Sequence, residues 1–412
     1  MDEGTPRLRN AIVIAIDRLG AGFLGPYGNT WLETPAINQL ASESVLFEHA
    51  IADSNDLPLL YRSYWSGVHA MCQTDSPECS LARLIERGGL QATLLTDDES
   101  LLRHPLAEDF GEQISVAQLA PKTLATSIEE TRFAHLTLAA IEWLADAKEP
   151  GLLWLHAQGM NGPWDAPAEL AERFRDDEDP EAYADLVPPQ FELEQDFDPD
   201  DVLSVMHAYA SQVSVIDACL GSLLDAIAQH ELADDTLVIV TSPRGYPLGE
   251  HLRIGAGPRD LFGESLNVPL LIRQPDRQSA CMRLDLLAQP SDLYATLASW
   301  LGVSAGADSS TGHDLLELTT NESAWRRQAA FAIKNEEKAV RTPAWLLHVD
   351  DSETRSLFAK PDDRWEANEV ADRCGDVPEQ LAKLLDEYSE RVNREKLVEL
   401  APLSRELVEG TD

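Results

Sequence analysis

The stretch TSPRGYPLGEH, residues 241–251, follows the apolar run TLVIV at 236–240. A buried strand ending in a glycine-bearing turn carries polar groups to the edge of a sheet, where α/β enzymes place their chemistry. A metal-dependent hydrolase needs carboxylate or imidazole at the tip of such a turn. The tip here is Pro243-Arg244. A second strand end of the same kind closes NAIVIAID (10–17) with Asp17, and Arg18 follows it. Further candidates are Arg62 in NDLPLLYRSYWSG (55–67), Asp97 and Glu99 after LQATLLT, Asn161 after GLLWLHAQ, and His251 in Gly249-Glu250-His251.

Each candidate has a plain reading beside the chemical one. Calcium takes about six to eight oxygen ligands, so Asp17 alone reads as a cap or an arginine partner. Arg62 has two open readings, an anion binder or an ion-pair partner of Asp17. His251 reads as a turn histidine that hydrogen-bonds locally, with chemistry as the alternative. His207, inside a long helix pattern, reads as a packing or surface residue. Ser63 and Ser66 have no evident base beside them, which argues against a serine hydrolase. Tyr27 and Gly28 in GPYGN are expected to shape a turn.

These residues need a scaffold, and the chain supplies an alternating one. NAIVIAID (10–17), LQATLLT (90–96), GLLWLHAQ (151–158), TLVIV (236–240) and VPLLIR (268–273) read as buried strands. TPAINQLASESVLF (34–47) reads as a helix that Thr34 caps, with Pro35 at its first position, followed by a strand. Helices are expected over 80–89, 123–147 and 201–230, the last with Val205, Tyr209, Val213, Ile216, Leu220 and Leu223 at helical spacing. The fold class is therefore α/β, a mostly parallel central sheet with helices on both faces. The acidic, proline-bearing stretch 175–201 reads as a surface excursion, a loop or a lid. After residue 305 the pattern changes. WLLHVD (345–350) and TRSLFAK (354–360) read as a hairpin and 376–398 as a terminal helix. The expected division is an α/β domain over 1–305 and a C-terminal α+β subdomain over 306–412.

Composition narrows the partners. The chain has 412 residues and a net charge of −40, so nucleic acid and anionic membranes are not expected partners. A solvated acidic surface accounts for the charge, and the lean of the basic residues toward Arg fits a salt-adapted host. No 18-residue apolar run marks a membrane span. The start, MDEGTPRLRN, has no apolar signal segment, and the five scattered cysteines contain no CxxC, so reduced thiols in the cytoplasm are expected.

The chain resembles the sulfatase family of the alkaline phosphatase superfamily. AIVIAIDRLGAGFLGPYGN, TPAINQLASESVLFEHA, the Pro163-Trp164-Asp165 turn, YASQVSVIDACLGSLLDAI, TLVIVTSPRGYPLGEH and ESLNVPLLIR carry the resemblance over nearly the whole chain. It implies a calcium ion in an acidic cage, a cysteine or serine nucleophile matured to formylglycine, and Lys and His groups that bind the sulfate. The implied positions mostly fail here. Of the two adjacent aspartates that end the first strand, Asp17 survives and Arg18 replaces the other. The Asp and His/Asn of the second metal motif fall on Pro243-Arg244. No Cys or Ser stands near Leu57, where the nucleophile belongs, although Arg62 and Gly67 lie near the family's Arg and Gly. The family's Gly-Lys-Trp-His element reads Thr96-Asp97-Asp98-Glu99, its Pro-His-x-Pro histidine is Asn161, and its late lysine falls near Pro258 and Arg259.

Metal-binding acids have become arginines and substrate-binding cations have become acids. Two guanidiniums in a cation cage would repel calcium by several kcal/mol even at high effective dielectric. Arg18 and Arg244 are expected to pair inward with Asp17, Asp97 and Glu99 in place of a metal. The favoured reading is a catalytically degenerate pseudo-sulfatase. It would have no cofactor and an arginine-containing cleft that binds a small anion or a protein. The alternatives are an active sulfuric or phosphoric ester hydrolase with rearranged residues, such as His251 with an arginine clamp, and an acidic scaffold or oligomer partner.

Overall fold

The computed structural model describes residues 9–73, 80–116, 121–147, 150–230, 233–257, 260–303, 311–321, 326–394, 398 and 400–410. Its strands are β1 Asn10–Ile16, β2 Val45–Ile51, β3 Gln91–Thr96, β4 Glu112–Ser115, β5 Gly151–Ala157, β6 Phe191–Glu192, β7 Thr236–Thr241, β8 Arg253–Ile254, β9 Asn267–Arg273, β10 Met282–Ala288, β11 Ala330–Lys334, β12 Glu337–Arg341, β13 Trp345–Val349 and β14 Arg355–Ala359. An eight-stranded sheet runs β10-β2-β9-β7-β1-β5-β3-β4. It is mixed: β9 runs antiparallel to both β2 and β7, and every other neighbouring pair is parallel. All seven residues of β1 are buried, as both faces of a central parallel strand should be.

Helices cover both faces. On one, α1 Pro35–Ser42 and the helices Arg132–Asp146 and Pro199–Gln229 pack against Ile12, Ile14, Ile16, Val238 and Val240. On the other, α2 Leu57–Ser66, α3 Leu81–Arg87 and the helix Pro290–Trp300 enclose Val13, Trp154, Leu237 and Ile239. Asp217 joins the first layer from within: buried on the long helix, it accepts from the backbone N–H groups of Ala36 and Ile37. Those are orphan donors of α1, and a carboxylate is the favoured charge there. The helix Pro199–Gln229 is long and apolar enough to cross a membrane, yet 61% of its apolar window is buried in this fold. Its apolar content is that of a central packing helix.

Tyr27 does more than shape a turn. Its hydroxyl donates to the Phe47 carbonyl and accepts from Leu270 N at 2.7 Å, joining β2 to β9, while Gly28 takes φ 96°. The acidic stretch 175–201 is tied down at two points within it: Tyr183 N donates to Ser204 O, and β6 pairs with β8. The expected hairpin is the β13–β14 half of a four-stranded antiparallel sheet, β11-β12-β13-β14. The helix expected over 376–398 spans Val377–Arg391. The C-terminal sheet shares the large core through Ala330, Ala332, Ala339, Leu346 and Phe358. Ile333 N also donates to Asp53 O. The boundary expected at residue 305 lies outside the described residues.

Candidate functional site

The ends of β1, β5 and β7 lie side by side, because β1 pairs in parallel with both of the others. Asp17 N donates to Ala157 O, and Met160 N donates back to Asp17 O. That clamp turns the chain sharply, and Arg18 takes φ 62° in the left-handed region. A non-glycine residue held there is strained and persists only where its surroundings fix it. Here Tyr209 does so, its hydroxyl donating to Arg18 O and accepting from Gly20 N, both at 2.8 Å.

Arg244 and Asp17 form a bidentate pair. Nε donates to Oδ1 at 3.0 Å and Nη2 to Oδ2 at 2.9 Å, while Nη1 donates to Asn55 O at 2.8 Å. The Asp17 side chain is 1% exposed, and the Arg244 side chain is 12% exposed. Arg18 is also buried. Its Nε reaches Asn161 Oδ1 and its Nη1 reaches Gly245 O, each at 3.3 Å. Burial, with the Arg244 charge beside it, pulls the Arg18 pKa down to about 10. Asp17 pushes the Arg244 pKa up against the opposing effect of its burial.

Gly245 explains why the turn keeps its glycine while losing its acids. A Cβ there would stand 2.0 Å from the Glu264 backbone carbonyl, and Gly245 N donates to Ser265 O. Gly245→Ala must push two backbone segments apart, and the expected loss is about 1–3 kcal/mol in urea unfolding. An unchanged midpoint would show that the loop carrying Glu264 yields freely.

Three sequence expectations need correction. Asp97 does not pair with Arg18 or Arg244. It accepts from Gln158 N at 2.8 Å and faces Arg132 at 3.8 Å, because the start of the helix Arg132–Asp146 brings a nearer cation. Glu99 is exposed in the first turn of a short helix that Asp98 caps, where a carboxylate is favoured by the backbone N–H groups. Arg62 does not pair with Asp17, whose oxygens are both taken by Arg244. Its Nη2 donates to the carbonyls of His69, Ala70 and Cys72, closing the loop after α2. His251 does bond locally: it stacks on Phe262 at 3.8 Å, and Nδ1 meets Glu264 Oε1 at 2.9 Å. Burial opposes its charge, but the Glu264 carboxylate outweighs it and the imidazole pKa rises. His207 is buried, 3.6 Å from Asp179. Pro258 and Arg259 lie outside the described residues.

Sequence reasoning missed Asn55 and Asp56. They stand at the start of α2, where the implied nucleophile belongs: Asp56 caps the helix at Leu59 N and the Asn55 carbonyl faces Arg244. The Asn55 side chain is buried with neither polar atom hydrogen-bonded. It also missed His156, buried at the end of β5, whose Nδ1 meets the Tyr61 hydroxyl and whose Nε2 lies 3.7 Å from Asp98.

The donor set does not fit calcium. The carboxylate at the end of β1, Asp17, has both oxygens on a guanidinium, and a second guanidinium stands beside it. Among the described residues, two other groups could converge on a cation, Glu48-His49-Asp285 and His251-Glu264-Glu366. Their atoms are already engaged: His49 with Asp285, Glu48 with Arg283, and Glu366 with Lys360 and Gly263 N.

A sequence model of the Sulfatase family matches residues 98–303, half of the chain. N-acetylglucosamine-6-O-sulfatase of Bacteroides thetaiotaomicron is 28% identical over 130 residues, which are 31% of this chain and 23% of that protein. Human iduronate 2-sulfatase is 24% identical over 338 residues, covering 66% of this chain and 60% of its own length. The matches therefore span less than two thirds of these relatives. Among solved structures, the phosphonate monoester hydrolase of Agrobacterium radiobacter superposes with TM-score 0.76 at 19% identity, over 93% of this chain and 96% of that one. A protein solved with its substrate D-glucosamine-2-N,6-O-disulfate gives TM-score 0.77 at 17% identity, over 95% and 100%. At these identities the structural likeness establishes the shared fold.

Proposed function

The chain belongs to the sulfatase family, and we propose that it is a member whose strand-end site has exchanged a metal centre for a fixed ion pair and performs no formylglycine ester hydrolysis. The observation that carries this reading is the bidentate Arg244–Asp17 pair, which occupies both carboxylate oxygens. A guanidinium supplies the positive charge that a carboxylate at a strand end calls for, without hydration or exchange. Arg18 adds a second fixed charge that opposes a dication at close range. No hydroxyl or thiol stands at the Asn55-Asp56 position to act as nucleophile. Ser54, the nearest hydroxyl in sequence, donates to Ile333 O at 2.7 Å and accepts from Asp56 N at 3.1 Å, and Ser63 donates to Asp53 at 2.6 Å, so neither has an imidazole as its hydrogen-bond acceptor. In this proposal the protein acts by binding.

Elemental analysis of the purified protein, with calorimetric titration of calcium, tests the reading. The expected result is no stoichiometric divalent cation and no binding heat. A stoichiometric calcium that is lost in Asp17→Asn would overturn it and return the protein to metal-assisted hydrolysis.

A further inference from the structure

A cavity of about 660 Å³ lies between the loops after β1 and the C-terminal sheet. None of Asp17, Arg18, Asn161 or Arg244 lines it, although Gly20 and Tyr246 do, so it adjoins the strand-end site without containing its charged residues. Its floor is one face of the C-terminal sheet. Residues alternate across a strand, and the register places Ala330 opposite Arg341 and Ala332 opposite Ala339. Three alanines leave the volume open, and Arg341 is the only long side chain of these four.

Arg341 is an unusual residue for that position. It is 7% exposed, and the one hydrogen bond of its side chain among the described residues is a 3.5 Å contact from Nη1 to Trp345 O. Every other cation around the cavity except Arg364 has a carboxylate: Lys360 holds Glu366 at 2.6 Å, Arg283 holds Glu48 at 3.1 Å and His49 meets Asp285 at 2.9 Å. Glu366 and Asp285 act on Arg341 only at a distance and are committed to Lys360 and His49. A guanidinium carries five donors in a planar fork, and the donors of Arg341 that lack a protein acceptor face the cavity, where a ligand can meet them. The rim is aromatic. Trp31 and Trp365, 41% and 57% exposed, both line the cavity, and the Arg364 guanidinium lies 5.1 Å from the Trp365 ring. Exposed tryptophans at the mouth of a pocket offer ring faces for stacking.

We propose that this cavity is a binding site for a small ring-bearing organic anion, whose oxyanion is received by the Arg341 fork and whose ring stacks at the Trp31–Trp365 rim. The site stands whether or not the strand ends are silent. A chain of net charge −40 repels anions at long range, so its one buried arginine without a carboxylate in this cavity points to a local function. Carboxylate, phosphate ester and sulfate ester share the required chemistry.

The test is calorimetric titration of the full chain with benzoate, phenyl phosphate and phenyl sulfate, with benzyl alcohol as the uncharged probe. At least one anion should bind and benzyl alcohol should not. Which anion binds identifies the head group. Arg341→Met, which keeps the stem and removes the fork, should weaken that binding roughly tenfold or more. It should also melt at or above the wild-type temperature, because it deletes a buried charge without a carboxylate. Trp365→Ala, at an exposed position, should weaken the ring-bearing anion and leave melting unchanged. If Arg341→Met melts early, Arg341→Lys makes the same comparison with charge retained and the fork lost. Absence of binding by all three anions, or equal affinity in both Arg341 variants, would overturn the proposal.

Discussion

Arg244→Ala is expected to lower the unfolding free energy by about 3–5 kcal/mol, the cost of leaving a buried carboxylate without its partner. Asp17 is fully buried and has both oxygens on Arg244, so truncation strands its charge at the buried end of β1. The pair itself has a different worth. Desolvating two ions offsets much of their attraction, and replacing both with apolar groups of similar size is often neutral. Asp17→Ala combined with Arg244→Met should therefore recover most of the loss. A double-mutant cycle in urea reads this directly, with an expected coupling of about 1–3 kcal/mol. A single Arg244→Ala within about 1 kcal/mol of wild type would mean that Asp17 finds another cation, Arg18 being the nearest candidate. The proposal of a fixed ion pair in place of a metal would then lose its main support.

That pair was legible in the sequence because it depends on two strand ends. Apolar runs at 10–16 and 236–240 place Asp17 and Arg244 at the same edge once the strands are taken as parallel neighbours. Arg62 was illegible for the opposite reason: its partners are backbone carbonyls of residues 69–72, and no residue type announces a carbonyl. Asp97 was misassigned because Arg132 reaches it from a helix 35 positions later, whose approach is set by packing. The reversed direction of β9 left no mark either, since VPLLIR is equally apolar in both directions. The cavity around Arg341 is assembled from loops after β1, the end of β2 and the C-terminal sheet, and no single stretch carries its signal.

Asp53, unremarkable in sequence, should make the stability of the protein depend on pH. It is fully buried, accepting through Oδ2 from the Ser63 hydroxyl at 2.6 Å and from Ala70 N at 2.9 Å. Burial pushes its pKa up to about 6, against those hydrogen bonds and the Arg62 charge. A carboxyl whose folded pKa lies above its unfolded value stabilises the fold below the unfolded pKa. That stability is lost as pH rises through about 6, and the full difference is about 3 kcal/mol. His69 opposes it in the same window. Its Nε2 lies 3.9 Å from Asp53 Oδ2, and burial, with Arg327 and Arg62 nearby, pulls its pKa down to about 3. A histidine held neutral loses stability as pH falls below its unfolded value, so the two slopes partly cancel in the wild type. Asp53→Asn separates them, because His69 and every surface carboxylate are common to both proteins. The variant should gain on the wild type as pH rises from 5 to 7.5, by roughly half of the full difference. Urea midpoints at four pH values across that window measure the gain. Parallel curves would mean that Asp53 ionises inside the fold as readily as in the unfolded chain, its charge held by Ser63, Ala70 and Arg62.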